Sequence, residues 1–170
     1  QHKERYGIYF RFVSKDDMQF DDEEERSVID TVQPGYGQYE NDAFHSMKES
    51  GTGSVGKTQG GTARYAKAGG SFAYTMEVNP DQSWLKVILQ SADAGKTLRI
   101  LVNGVCLKEV VAEASEEEFQ EIILPIPKEI LVGAERKFYD CRERKVCEIT
   151  FASADEQDSA AVCNFLYTLA

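Results

Sequence analysis

Phe72-Ala73-Tyr74-Thr75-Met76-Glu77-Val78 is the stretch that decides the fold: large apolar side chains at 72, 74, 76 and 78 alternate with small or polar ones. A period of two sends successive side chains to opposite faces of an extended chain, so one face meets a core and the other meets water. The same beat returns on both sides. Tyr6, Ile8, Phe10 and Phe12 alternate with Gly7, Tyr9 and Arg11. Leu85, Val87 and Leu89 alternate with Lys86, Ile88 and Gln90, and Leu98, Ile100 and Val102 continue the theme. Near the end, Cys147, Ile149 and Phe151 alternate with Glu148 and Thr150, then Cys163, Phe165, Tyr167 and Leu169 with Asn164, Leu166 and Thr168. Turn chemistry punctuates these runs. Asn103-Gly104 supplies the positive φ angles of a type I′ hairpin, Asn79-Pro80-Asp81 separates two strands, and Gly69-Gly70 precedes one. Short strands at turn-delimited spacing predict an all-β fold, an antiparallel β-sandwich of jelly-roll type.

Helix signals are scarce. Ser14 to Arg26 reads equally as a helix capped by Ser14 or as a solvated acidic linker, because Asp21, Asp22, Glu23, Glu24 and Glu25 repel one another. Ser115-Glu116-Glu117-Glu118 has capping-box spacing, but Phe119 to Ile126 then reads as a strand, which limits any helix there to one turn. The expected organisation is a leading strand and acidic linker over residues 1–27 and a β-sandwich over residues 28–170. Across all 170 residues, 19 basic side chains face 29 acidic ones, a net charge of −10 that repels phosphate backbones and argues against nucleic acid. No apolar run approaches the roughly 20 residues of a membrane-spanning helix, so a membrane partner is not expected.

Two nucleotide-binding patterns overlap at Gly51-Thr52-Gly53-Ser54-Val55-Gly56-Lys57-Thr58, which fits both G-x-x-x-x-G-K-[ST] and G-x-G-x-x-G. Each works only between a buried strand and a helix N-terminus that meets phosphate. Asp42 to Ser50 is no apolar strand, and Gln59-Gly60-Gly61 cannot propagate a helix. The stretch therefore reads as a flexible Gly/Ser/Thr loop, not a nucleotide site. Cys106, Cys141, Cys147 and Cys163 lack zinc-site spacing. Cys147 and Cys163 read as buried small hydrophobes, and Cys141, in the charged loop Arg136 to Lys145, as the exposed or disulfide-forming one. No acid pair or nucleophile stands out, so no catalytic residue is assigned.

Thr31 to His45 is the most unusual segment. It joins a Pro34-Gly35 turn to two tyrosines, two acids and a histidine without strand alternation. A sugar site needs flat aromatic faces against C–H patches and fixed polar groups against hydroxyls. Tyr36, Tyr39, Glu40, Asp42, His45, Arg64 and Tyr65 offer both and form the candidate carbohydrate-binding set. Glu40 and Asp42 are also oxygen ligands that could hold a structural calcium ion. The competing reading is that these residues tie a long loop across the sandwich. Trp84, the sole tryptophan, opens a strand and reads as a core or rim plug.

An ordered series of motifs carries a resemblance. Ser27 to Gly35, Gln38-Tyr39-Glu40, Asp42, Ser50 to Gly53, Arg64-Tyr65-Ala66, Gly69 to Tyr74, Val102-Asn103-Gly104, Phe119 to Ile130 and the closing strands are similar to the C-terminal β-sandwich module of glycoside hydrolase family 127-type proteins. These are β-L-arabinofuranosidases and their bacterial relatives. Arg5-Tyr6-Gly7-Ile8-Tyr9-Phe10 resembles the strand just upstream in those enzymes. The chain departs from the pattern at Ala43, where many members have histidine, and over Gly133 to Lys145, which is longer than the usual turn and reads as surface decoration. That family's catalytic apparatus lies in an (α/α)6 barrel with a glutamate and zinc-bound cysteines, and no such helical array fits these 170 residues. The resemblance thus implies a non-enzymatic, carbohydrate-binding-module-like accessory domain of a glycosidase acting on plant polysaccharide. Its expected partners are the parent chain's barrel and an oligosaccharide, with no resident cofactor, in a periplasmic or secreted setting. The alternative is a purely structural brace between domains or copies.

Overall fold

The computed structural model describes residues 27–58, 61–154 and 156–170. The expected strand at Tyr6–Phe12, the Ser14–Arg26 segment and most of the leading region lie outside them. Among the described residues the strands are β1 (Val28–Val32), β2 (Lys48–Thr58), β3 (Gly61–Glu77), β4 (Trp84–Gln90), β5 (Thr97–Val102), β6 (Val105–Val111), β7 (Phe119–Pro125), β8 (Glu135–Tyr139), β9 (Arg142–Ala152), β10 (Val162–Cys163) and β11 (Leu166–Leu169). Two single-turn helices, α1 (Gly37–Glu40) and α2 (Lys128–Leu131), join them.

The strands form two antiparallel sheets. The smaller runs β1-β11-β4-β7 and the larger β10-β3-β9-β5-β6, with β2 on β3 and β8 on β9. Alternation explains the core between them. Phe72, Tyr74 and Met76 lie opposite Phe151, Ile149 and Cys147, and Ile100 and Val102 lie opposite Phe151 and Ile149. These side chains meet Leu85, Val87 and Leu89 of the facing sheet, all fully buried. Each such burial stabilises by about 1.5–3 kcal/mol. The predicted antiparallel sandwich is the fold.

Several local expectations need correction. Gly51 to Thr58 is strand, not loop: it belongs to β2 and pairs with β3, so its backbone groups serve a sheet ladder and no helix follows. Gly69-Gly70 does not precede a strand but lies inside β3, beside a register shift between Ser50 and Thr52. A Cβ at Gly70 would stand 2.1 Å from the Gly51 carbonyl oxygen, which is why two glycines face each other there. The charged loop Arg136 to Lys145 is a hairpin of β8 and β9, turned by Asp140 and Cys141 at φ 53° and 67°. Asn103 and Gly104 make the expected hairpin at φ 50° and 81°.

The final alternation slips by one. Asn164 adopts φ 58° between β10 and β11, so Leu166 and Thr168 turn inward while Phe165 is exposed. β4 departs differently, being buried on both faces. Trp84 joins Ile123, Leu169 and Tyr167 in a small outer cluster, and Lys86 pairs with Glu121 at 3.1 Å and lies over the Tyr167 ring. Trp84 is thus a buried plug. Cys147 and Cys163 are buried, Cys106 and Cys141 exposed, and all four are free thiols.

Candidate functional site

The chain leaving β1 cannot continue as strand at Pro34-Gly35. Gly35 has φ 88°, and a Cβ there would lie 2.4 Å from the Ala63 carbonyl oxygen, so only glycine lets the turn press against β3. Thr62 on β3 fixes the turn, its Oγ1 donating to the Pro34 carbonyl at 2.7 Å and accepting from Gln33 Nε2 at 3.2 Å. The turn feeds α1, where Tyr39 and Glu40 donate their N–H groups to the Tyr36 carbonyl. One helical turn places Tyr36 and Tyr39 on the same side. Both are exposed, with ring centroids 4.8 Å apart and planes at 72°.

The next residue goes the opposite way. Glu40 is wholly buried, and its carboxylate accepts from Arg64 Nε at 2.7 Å and Nη2 at 2.9 Å, a bidentate pair. It also accepts from the Tyr74 hydroxyl at 2.6 Å and the Gly35 N–H at 2.8 Å. The hydrogen bond to Glu40 raises the Arg64 pKa despite burial. Burial, then the Glu40 charge, pushes the Tyr74 phenol above its ordinary value. Arg64 spends Nη1 on Thr52 Oγ1 at 2.8 Å. Every polar atom of Glu40 is engaged inside the protein, so it positions α1 and has no surface to offer a sugar.

Asp42 and His45 form a second unit. Asp42 Oδ1 accepts from the Phe44 and His45 N–H groups, and Oδ2 faces His45 Nδ1 at 3.0 Å. His45 Nε2 faces Asp30 Oδ1 at 2.9 Å, and Asp30 Oδ2 accepts the Glu77 N–H. Only the imidazolium can donate from both ring nitrogens. Burial pulls the His45 pKa down, but the hydrogen bonds and charges of Asp30 and Asp42 together outweigh it and leave it raised above 6.5. Glu40 and Asp42 therefore face different partners and do not build an oxygen cage for calcium. Among the described residues no group of three His, Cys, Asp or Glu is placed to hold a metal ion.

The structure thus divides the seven predicted residues. Tyr36 and Tyr39 meet at the surface, Glu40 pairs with Arg64 in the interior, partly exposed Asp42 holds buried His45, and Tyr65 stands apart, half-buried with its ring across Gly53. Asp30 and Tyr74 were missed. Asp30 interrupts the apolar run Val28-Ile29-Asp30-Thr31-Val32, a signal that could have been used; Tyr74 reads as ordinary core. Burial pushes the Cys147 thiol up to about 11, and burial first, with the charges of Asp93 and Glu118, pushes Cys163 up to about 12, so neither is an activated nucleophile. No helix among the described residues is long and apolar enough to cross a membrane.

The profile of a family described as "Family of unknown function (DUF6805)" matches residues 24–163. No curated protein matches the sequence. Among solved structures, an exo-β-1,3-galactanase from Phanerochaete chrysosporium with β-1,3-galactotriose is similar at TM-score 0.55 and 13% identity, over 85% of this chain and 30% of that one. A family 35 carbohydrate-binding module (CBM35) from Paenibacillus barcinonensis is similar at TM-score 0.50 and 11% identity, over 83% of this chain and 98% of that one. A family GH115 4-O-methyl-α-glucuronidase with specificity for decorated arabinogalactans gives TM-score 0.50 and 11% identity, over 85% of this chain and 18% of that one. The chain therefore spans nearly all of the binding-module chain and a minor part of each enzyme. At these identities the likeness is one of fold.

Proposed function

The chain belongs to the DUF6805 family, and from that premise we propose that it is a non-catalytic, carbohydrate-associated module of a larger polysaccharide-degrading enzyme. One observation carries the reading: two tyrosines lie exposed side by side on a turn whose next residue is locked into the core. Aromatic faces fixed in this way can take the C–H patches of a sugar without first being ordered, which lowers the entropic cost of a weak contact. The fold shared with a carbohydrate-binding module supports the same reading.

In the finer form of the proposal, residues 28–170 are the accessory sandwich of a family 127-type glycosidase and residues 1–27 lead into it from the preceding domain. Its partners are then the parent's catalytic barrel and an oligosaccharide, and its setting is periplasmic or secreted, where polysaccharide is met. Titration of the 170-residue chain with arabinose- and galactose-containing oligosaccharides tests the reading. Binding that Tyr36→Ala with Tyr39→Ala abolishes is expected; no heat and no shift on any of them discards it. The brace reading has its own observation, the exposure of Val132 at 70% and Phe138 at 73%. It requires that removing the module lowers the parent's melting temperature and leaves its sugar affinity unchanged.

A further inference from the structure

β9 is longer than either strand that pairs with its outer edge. β5 covers Ile149 to Ala152 and β8 covers Arg142 to Val146, so the ladder breaks at Cys147. Asn103 at the end of β5 fills the break, accepting the Glu148 N–H at its side-chain oxygen and donating its own backbone N–H to the Glu148 carbonyl. Beside this break opens a cleft of about 850 Å³, lined by none of the seven candidate residues. That size falls in the roughly 300–1,000 Å³ range of ligand pockets. One wall is formed by Gly133, Glu135, Arg136 and Lys137, from the segment that reads in the sequence as surface decoration, and the rest of the lining comes from α2, β9, β2, β3, β6 and the Asn103 turn. Lys137 fastens the wall, donating from Nζ to the Ala43 and Phe44 carbonyls at 3.1 and 2.7 Å.

The lining is polar and electrically balanced within a protein of net charge −10. Glu129, Glu135 and Glu148 oppose Lys48, Arg136 and Lys137. Lys48 Nζ and Glu148 Oε2 stand 3.1 Å apart at the rim, the lysine exposed and the glutamate partly so, a donor and an acceptor side by side. A hydroxyl can donate to the carboxylate while its neighbour accepts from the ammonium, so a vicinal diol can bridge the pair. Each cation of the lining is matched by a carboxylate, so a carboxylated ligand would have to displace Glu148 from Lys48 and would add an uncompensated negative charge to a balanced lining. Among the described residues no aromatic side chain lines the cleft, so recognition by them rests on hydrogen bonds rather than stacking.

We propose that this cleft is a second carbohydrate site, selective for uncharged, diol-bearing sugar units and distinct from the Tyr36–Tyr39 platform. The inference rests on the carbohydrate-associated reading above and adds to it a site and a sugar class. It is tested by following backbone amide spectra of the 170-residue chain with arabinotriose, β-1,3-galactotriose and trigalacturonate. Neutral trisaccharides are expected to shift Thr75, Asn103 and Glu148, and trigalacturonate to leave them in place. Lys48→Met with Glu148→Gln, which leaves no unpaired charge, should weaken the cleft shifts at least tenfold and spare those at Tyr36 and Tyr39. Tyr36→Ala with Tyr39→Ala should do the reverse. Shifts confined to the tyrosines would overturn the second site and leave the proposed function standing. Tighter binding of trigalacturonate in the cleft would overturn the neutral class, and silence everywhere would remove both.

Discussion

The loop between β1 and β2 is pinned at two places, by Glu40 among Arg64, Tyr74 and the Gly35 N–H, and by His45 between Asp30 and Asp42. Both pins join a charge to its opposite in a mostly buried setting, yet they differ in what pH can do to them. Arg64 stays charged at any ordinary pH, and its bond to Glu40 raises its pKa further, so that anchor is permanent. The His45 clasp needs a proton on each ring nitrogen and is lost with one of them. The comparison teaches that the tyrosine-bearing turn has a fixed foot, while the link from the loop to β1 responds to pH.

The largest effect should come from breaking the fixed foot. Glu40→Ala leaves Arg64 buried without its partner and should cost about 3–5 kcal/mol, read from urea unfolding midpoints. Replacing both partners by methionine should recover much of that loss, since it removes the stranded charge. A double variant as unstable as Glu40→Ala alone would show that the pair is more than a neutralised burial.

A smaller, pH-dependent effect should follow His45→Ala, about 1–3 kcal/mol where the clasp is protonated. Because the folded pKa is raised above 6.5, the contribution is complete below 6.5 and disappears as pH rises through the folded value. Wild-type stability measured from pH 6 to 9 should therefore fall toward that of His45→Ala, and the two curves should converge. Parallel curves would mean that the imidazole contributes by packing alone.

Smallest in stability is the effect of Tyr36→Ala or Tyr39→Ala, within about 0.5 kcal/mol because both rings are exposed. Their loss should appear in sugar titrations instead. A clearly lowered melting temperature would move the tyrosines from platform to structural brace.

Much of this architecture was written in local pattern. The runs at Phe72 to Val78, Leu85 to Leu89 and Cys147 to Phe151 became facing core strands, and Asn103-Gly104 became its hairpin. Where the reading failed, the deciding term was not local. Gly51 to Thr58 has the small, polar composition of a loop, but β3 offers it a paired edge along its length. The slip at Asn164 depends on one left-handed residue. For Glu40 and Arg64 the sequence leaves sugar contact and loop tie both open, because the two are 24 residues apart and their pairing exists only in the folded chain.

Alternation and turn chemistry by themselves determined that this chain builds antiparallel sheets around a shared core, since side-chain direction in a strand has a period of two whatever it packs against. Tertiary structure alone decided which polar residues lie inside and where a cleft opens. Burial of a charge is settled by partners distant in sequence, and a cleft forms where two strands divide the edge of a third.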